Sequence, residues 1–176
     1  MAAPADSAFV RVLNLSAEQA EVTLDDWRQS LAPGAVGAYL YRPAGDARLV
    51  INGEAFAYPV SARSVHTLVF DGQRVTPYRD TYFDNRLKAL LVMYNLADQS
   101  ATLQTANGAV NVIGPLARRS SDEREINGVR VGLQVRLDDG TALPLEEAVL
   151  QRGRVYTVVV LPGQARLEES RVATAP

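Results

Sequence analysis

A strand-like stretch near the start of this chain is written a second time 81 residues later. Residues 10–15 read VRVLNL and residues 91–96 read LVMYNL, and each stretch is followed by a short polar segment. Repetition of one pattern along a chain indicates repetition of the structural unit that the pattern encodes. The sequence therefore predicts an internal duplication. The aligned apolar pairs are Val10 with Leu91, Val12 with Met93, and Val22 with Leu103.

A second match follows in the same order. Residues 66–70 read HTLVF and residues 156–160 read YTVVV, which lie 90 positions apart. Nine additional residues must therefore lie between the matched ends of the second half. The polar segment 118–128, RRSSDEREING, falls in this interval. We expect it to be an inserted loop.

The hydrophobic pattern within each half is that of β-strands. Residues 129–137 alternate apolar and polar side chains, the period of a strand with one buried face. Asn52-Gly53 and Asn107-Gly108 are strong signals for tight hairpin turns. Turn signals recur about every 8–12 residues, which is typical of sandwiches and barrels. The predicted fold class is all-β, with two tandem, mutually packed β-sandwich domains that arise from an internal duplication.

The predicted domain boundaries follow from the repeat. The N-terminal domain is expected over residues 1–76 and the C-terminal domain over residues 89–176. Residues 77–88 between them contain three aromatic residues and are not rich in Gly and Ser, as a flexible linker would be. We expect this linker to lie against the domains and to hold their orientation.

Composition excludes several classes of function. A net charge of −2 gives no reason to expect nucleic acid as a partner, and no apolar run reaches the roughly 18 residues of a membrane-spanning helix. The absence of cysteine excludes disulfides and thiolate chemistry. The opening MAAPADSAF suits what remains after cleavage of a secretory signal, although an ordinary cytoplasmic N-terminus fits equally well.

The residues give no support for catalysis. His66 is the only histidine, and its counterpart in the repeat is Tyr156, which favours a packing role. The Gly-x-Ser-x-Gly motif of serine hydrolases is absent, and no serine–histidine pairing is expected. Adjacent carboxylates such as Asp25-Asp26 are typical of turns and surfaces. We expect no catalytic residue, no metal site and no cofactor.

Two sets of residues leave more than one interpretation open. Trp27 is either a sugar-stacking platform or a plug of the core, and Tyr39 and Tyr41 share this ambiguity. The charged residues in 118–125 form either a solvated loop or a docking surface, where mixed charges set register and partner choice.

Several collinear stretches resemble the alginate O-acetylation protein AlgF family. The resemblance runs from about Phe9 to Leu161, through FVRVLNLS, LLVMYNLADQSATLQTANGAVNVIGPLA, DEREINGVRVGLQV and LQRGRVYTVVV. Its most specific pieces are the Asn-Leu-Ala-Asp-Gln stretch from Asn95, the Thr-Ala-x-Gly turn from Thr105, and Arg-Glu-Ile-Asn from Arg124.

The resemblance implies a specific function. Proteins of this family are periplasmic, consist of two associated β-sandwich domains and have no known catalytic activity. They are needed for O-acetylation of an exported polysaccharide, as adaptors between a membrane-bound O-acyltransferase and periplasmic acetyltransferases of the SGNH type. Homologues also accompany cellulose acetylation systems, so the polymer can be alginate or cellulose. The family has no catalytic residue to carry over.

The resulting expectation is a non-catalytic periplasmic adaptor that bridges the two enzymes. The alternative is a carbohydrate-binding β-sandwich that holds the polysaccharide itself, with Trp27 and several tyrosines exposed in a groove. The partner-binding residues expected for the adaptor are Tyr78, Tyr82, Phe83, Arg118, Arg119, Asp122, Arg124 and Glu125.

Overall fold

The strands of this protein belong to two units, each with its own sheets. The computed structural model describes residues 3–173, so the first two residues, which the expected signal cleavage concerns, lie outside the described part. Within that part every regular element is a strand. The first unit ends at Tyr82 and includes the segment from Arg171 onward, and the second unit is Phe83–Ser170. The all-β prediction is confirmed.

The first unit is a sandwich of two sheets. One has the order β4-β1-β7-β8, with the short C-terminal strand β19 added beside β4, and the other has the order β3-β2-β5-β6. The strands are β1 (Ala8–Asn14), β2 (Ala20–Leu24), β3 (Trp27–Leu31), β4 (Tyr39–Arg42), β5 (Gly45–Ile51), β6 (Glu54–Val60), β7 (Val65–Phe70), β8 (Val75–Asp80) and β19 (Val172–Ala173).

The second unit repeats this arrangement. Its sheets have the orders β12-β9-β17-β18 and β11-β10-β14-β15, with a small additional pair, β13-β16. The strands are β9 (Ala89–Asn95), β10 (Ala101–Thr105), β11 (Asn111–Leu116), β12 (Ser120–Ile126), β13 (Arg130–Val131), β14 (Leu133–Leu137), β15 (Ala142–Pro144), β16 (Ala148–Val149), β17 (Val155–Leu161) and β18 (Gln164–Glu169).

Strand pairing confirms the duplication at the level of single residues. Strands β1 and β7 of the first unit run parallel, as do β9 and β17 of the second, and such a pairing requires a long crossover connection. Val10 lies opposite His66 in the first unit, and Leu91 lies opposite Tyr156 in the second. These are the residues that the two sequence matches align. The two units therefore share one topology and one register.

Each unit has its own hydrophobic core between its two sheets. Val10, Val12 and Leu68 point into the first core, and the matching Leu91 and Met93 point into the second. Alternation along these strands accounts for the burial, because every second side chain faces the opposite sheet. Trp27 is half-buried and packs against the first core, which favours the core interpretation of this residue.

The repeated asparagine fixes the corner between the first two strands of each unit. The Asn14 side-chain amide donates to the carbonyls of Glu18 and Leu31 at 2.8 and 2.9 Å. The Asn95 amide donates to the carbonyls of Gln99 and Leu116, both at 2.9 Å. Both asparagines are fully buried, so these carbonyls would otherwise lack a partner. The hydrogen bonds at this corner therefore account for the asparagine that repeats in the sequence.

The predicted linker differs from the structure at its start. Residues 75–80 form β8, which pairs antiparallel with β7 along its whole length, and the boundary between the units falls between Tyr82 and Phe83. The duplication explains this strand, because β8 pairs with β7 in the first unit as β18 pairs with β17 in the second. The mutual packing of the two domains stays a prediction.

The expected loop at 118–128 is wrong, because its middle is strand β12. Residues 120–126 pair antiparallel with β9 over seven residues. Charged side chains are compatible with this strand because it lies at the edge of its sheet, where they stay in water. Part of the additional length lies in the turn between β14 and β15, which is longer than the Asn52-Gly53 turn between β5 and β6.

Candidate functional site

The edge strand β12 leaves a row of backbone groups without a neighbouring strand. Leu90 donates its amide to Arg154 on the β17 side. Backbone groups alternate in direction along a strand, so those of Leu91 and Met93 turn toward β12. Arg124 and Asp122 lie opposite Leu91 and Met93, so their backbone groups turn toward β9. The backbone groups of the residues between them turn away from the sheet. The outward-facing residues are Ser121, Glu123 and Glu125.

The corresponding edge of the first unit carries an additional strand. Tyr39 on β4 donates its backbone amide to Arg171 at 2.8 Å, and β19 then pairs parallel with β4. Strand register makes Glu123 on β12 the counterpart of Tyr39. The same edge therefore carries an added strand in one unit and none in the other, within the part of the chain that is described.

The charged side chains of β12 are exposed except that of Glu123, which is half-buried, and several of them make hydrogen bonds. Arg124 donates to the carbonyl of Val112 at 3.1 Å, and Glu125 accepts from the Asn85 amide at 3.3 Å. Asp122 accepts from the backbone amide of Glu123 at 2.8 Å. These contacts hold the strand's charged groups in fixed places along the edge. Three carboxylates and one guanidinium make this part of the edge acidic.

The two arginines before β12 add a basic end to this edge. Arg118 and Arg119 are exposed, and Arg119 donates its backbone amide to the carbonyl of Asn95 at 2.7 Å. Arg119 has a φ of 60°, in the left-handed region that favours glycine. In the first unit the same hydrogen bond, from Gly34 to Asn14, is made by a glycine with a φ of 78°.

The three predicted aromatic anchors do not form one group in a single unit. Tyr78 is a half-buried residue of β8, opposite Thr67. Tyr82 packs against Phe9 with ring centroids 5.9 Å apart, and the Arg63 guanidinium lies 4.4 Å from its centroid. Phe83 is the first residue of the second unit and is half-buried. The contacts of Tyr82 are those of a residue anchored to the first unit.

A buried polar network in the first unit escaped the sequence analysis. The guanidinium of Arg11 donates to Thr67 Oγ1 at 2.8 Å, and this hydroxyl donates to Asp80 Oδ2 at 2.7 Å. The Tyr39 hydroxyl donates to the same Asp80 oxygen at 2.9 Å, and Arg11 stacks 4.2 Å from the Tyr39 ring centroid. Its one sequence signal is an arginine inside the apolar run VRVLNL, because a buried charge needs a partner.

Burial controls the acidity of the tyrosine in this network. Burial raises the pKa of Tyr39 well above its ordinary value, and the Arg11 charge opposes this effect in part. Tyr39 therefore stays a hydrogen-bond donor to Asp80 throughout the physiological range. This arrangement resolves the ambiguity of Tyr39, which is 6% exposed and serves the interior of the unit.

His66 lies in the core-facing side of β7, as the sequence predicts, but it does meet a serine. Its Nε2 lies 3.0 Å from Ser64 Oγ, which corrects the expectation that no such pair exists. Ser64 lies just before β7, two positions from His66. Ser64 is 2% exposed and its hydroxyl donates to the Ser61 carbonyl. The serine is thus buried and held by the backbone, unlike an accessible nucleophile.

Residues 3–173 contain neither a metal-binding cluster nor a membrane-spanning helix. No three or more His, Asp or Glu side chains of this range come together in a group that could hold a metal ion. None of the described elements is a helix of the length and apolar character needed to cross a membrane.

Comparison with known proteins identifies the family. The chain matches the family described as "Alginate O-acetyl transferase AlgF" over residues 1–157. The alginate biosynthesis protein AlgF of Pseudomonas fluorescens is 31% identical over 160 residues, which cover 90% of this chain and 74% of that protein. AlgF of Pseudomonas aeruginosa PAO1 is 28% identical over 167 residues, which cover 94% and 77%.

Among solved structures, the C-terminal domain of AlgF from P. aeruginosa is similar at 30% identity and a TM-score of 0.42. The match covers 48% of this chain and 97% of that domain's chain. With the match over residues 1–157 and the relative at 31% identity, the chain belongs to the AlgF family.

Proposed function

We propose that this protein is a non-catalytic periplasmic adaptor for O-acetylation of an exported polysaccharide. It brings together a membrane-bound O-acyltransferase and an SGNH-type acetyltransferase. The relatives are named as alginate biosynthesis proteins, which supports alginate as the polymer, with cellulose as the other candidate. Tethering two enzymes raises the concentration of each near the other without any chemistry on the tether itself.

The open edge of β12 is the observation that carries this proposal. A free strand edge is a template for an extended segment of another protein, and partner recognition by strand addition is a recurring mode. The covered edge of the first unit is a precedent within the same chain, because β19 adds to β4 by the same backbone groups. We assign β12 as the docking strand for an extended segment of the acetyltransferase.

Charge along this edge defines the segment that would fit. The edge is basic at Arg118 and Arg119 and acidic along residues 122–125. An added strand with acidic residues at the first end and basic residues along the second complements it. Charged pairs of this kind set the register and the choice of partner more than they set affinity.

The buried position of Ser64 supports the non-catalytic part of the proposal. A nucleophile must be reachable by its substrate and activated by a base that a third group orients. Ser64 is 2% exposed and His66 Nδ1 has no hydrogen-bond partner among the described residues. The serine–histidine contact therefore has neither of these two features.

The test is a binding measurement with proline variants of matched chemistry. Glu125→Pro removes one outward-facing amide of β12 while the inward pairing with β9 stays intact, because proline is tolerated at strand edges. Glu169→Pro makes the same change on β18, the opposite edge of the same sheet. Binding of each purified variant to the purified acetyltransferase is measured by calorimetry.

We expect Glu125→Pro to weaken binding at least about tenfold, the effect of one lost hydrogen bond with some loss of fit. Glu169→Pro should bind as the unchanged protein does. Equal binding by all three proteins would overturn β12 as the docking strand. Failure of the unchanged protein to bind the acetyltransferase would overturn the adaptor role.

A further inference from the structure

The first unit contains a surface cavity that has no role in the adaptor function. It has a volume of about 440 Å³, within the range of about 300–1,000 Å³ that is usual for ligand sites. Its walls come from the end of β6, the following turn, and strands β7 and β8. The residues that the argument uses are Tyr58, Pro59, Ser61, His66, Pro77 and Arg79.

In the second unit, a tyrosine side chain occupies the place that corresponds to this cavity. There the residue at the His66 position is Tyr156, whose hydroxyl accepts from the backbone amide of Gln151 at 2.8 Å. It also donates, at 3.4 Å, to the carbonyl of Val149. The imidazole of His66 is shorter than a phenol and carries no hydroxyl. The first unit thus lacks the oxygen that bridges the ring to this backbone.

The residues of the first unit that correspond to Val149 and Gln151 line the cavity. Arg63 and Gly153 occupy the same turn, both with positive φ, and Phe9 and Leu90 donate their amides to matching residues of the two turns. This alignment puts Ser61 at the position of Gln151. A ligand oxygen near Ser61 would therefore meet the backbone that Tyr156 meets in the second unit.

The protonation of His66 specifies the chemistry that it offers. The Ser64 hydroxyl donates its hydrogen to the Ser61 carbonyl, so it accepts from His66 Nε2–H at 3.0 Å. Nδ1 of the neutral ring is then an acceptor, and this buried atom has no partner among the described residues. Burial and the nearby Arg79 charge lower the pKa of His66, although Asp80 opposes them. A ligand group at Nδ1 must be a hydrogen-bond donor.

We propose that this cavity binds a saccharide, which places one alcohol hydroxyl between His66 Nδ1 and the backbone at Ser61. A hydroxyl both donates and accepts, as the bridging position requires. Arg79 supplies donors for a second ligand oxygen, and the ring of Tyr58 with Pro59 and Pro77 gives an apolar wall for the C–H face of a sugar. Because Nδ1 is buried, a ligand reaches it only when a covering side chain moves, and we expect that side chain to be Tyr58, which is half-buried with its ring centroid 5.4 Å from that of His66.

The single histidine makes a direct test possible. In protein labelled with ¹⁵N-histidine, only His66 contributes the imidazole signals. The probes are methyl glucoside, glucuronate, acetate and N-acetyltyrosinamide, each added to the full-length chain. The proposal expects a saturable shift of the Nδ1 signal with both sugars and an unchanged Nε2 signal. Acetate has no hydroxyl and should leave Nδ1 unshifted.

Variants separate binding from folding. Arg79→Ala should weaken saccharide binding about tenfold, as loss of one charge-assisted hydrogen bond does. Arg74→Ala, an exposed arginine of the same unit outside the cavity, is the matched control and should bind normally. His66→Tyr copies the second unit, and ligand-observed saturation transfer should show loss of binding while urea unfolding shows a folded protein.

Three results would overturn the proposal. The first is no shift with either sugar, and the second is an equal shift with acetate, which would indicate an anion site instead. The third is a shift with N-acetyltyrosinamide alone, which would indicate a socket for a partner's side chain. None of these results bears on adaptor binding at β12, so the two proposals fail independently.

Discussion

Thr67 donates its hydroxyl hydrogen to Asp80 at 2.7 Å, and the duplicated unit keeps this contact in neutral form. There Thr157 and Ser170 bring their hydroxyl oxygens to 2.7 Å at the same two positions. In the first unit the neighbouring residue on β1 is Arg11, where the second unit has Val92. The first unit therefore has an ionic version of a site that the second unit makes without charge.

Copying the neutral version into the first unit tests how strongly its charges are coupled. Asp80→Ser alone removes the carboxylate from the network that surrounds the buried Arg11 and should lower the free energy of unfolding by about 3–5 kcal/mol. Asp80→Ser with Arg11→Val reproduces Ser170 and Val92 and should recover more than half of this loss. Urea unfolding of the two single variants and the double variant measures the coupling.

Additive effects of the two substitutions would contradict this account, because residues in one network are expected to be non-additive. Arg74→Ala is a suitable control, since this arginine is exposed. Its effect should stay within about 0.5 kcal/mol.

The stability of the first unit should fall as the solution becomes mildly acidic. The pKa of His66 is lower in the folded protein than its ordinary value of 6.5, because burial and Arg79 disfavour the imidazolium. The unfolded chain therefore binds more protons below pH 6.5, and stability present above this pH is lost as the pH falls toward the folded-state pKa. Urea unfolding between about pH 7 and 5 measures this slope.

His66→Gln removes the titrating group and should flatten the stability profile in that window. An NMR titration of the single imidazole gives the folded-state pKa directly. A midpoint at or above 6.5 would contradict the burial argument.

The repeated asparagines should be equally important in both units. Asn14→Ala or Asn95→Ala removes two hydrogen bonds to carbonyls at a buried corner, and each should lower the free energy of unfolding of its unit by about 2–3 kcal/mol. Asn127→Ala, which loses only an exposed contact with Lys88, should cost less than about 0.5 kcal/mol. Chemical denaturation compares the three, and a change below 1 kcal/mol at Asn14 or Asn95 would refute the role of the corner.

Arg119→Gly should leave stability unchanged or raise it by up to about 1 kcal/mol. The substitution relieves a left-handed backbone conformation, which costs roughly 1–2 kcal/mol for a side-chain residue, against a smaller entropic cost of glycine in the unfolded chain. Gly34→Ala makes the opposite change at the matching place and should destabilise by about 1 kcal/mol. Thermal unfolding of both variants checks this, and clear destabilisation by Arg119→Gly would contradict the assigned equivalence.

The sequence was sufficient for features that repeat. The Asn14 and Asn95 alignment, the His66 and Tyr156 alignment and the all-β class all followed from patterns with a period or a partner in the chain. The strand β12 was missed because its charges suit water, and an edge strand meets water as a loop does. Its residues give no apolar alternation from which to predict pairing.

The buried network and the cavity were missed for a different reason. Arg11 and Thr67 lie 56 positions apart, and Tyr58 lines the same cavity as Arg79 from another strand. Contacts of this kind depend on the crossover that brings β1 beside β7, which a local pattern does not specify. The pairing of β19 with β4 likewise joins residues that lie far apart in the sequence, so a local pattern does not predict it.

The most direct test of the adaptor role is a three-component purification. The membrane-bound O-acyltransferase is tagged and captured from cells that also express the SGNH-type acetyltransferase, with or without this protein. We expect the acetyltransferase to be recovered only when this protein is present, and we expect Glu125→Pro to lower the recovery while Glu169→Pro does not. Equal recovery of the acetyltransferase in its absence would contradict the bridge between the two enzymes.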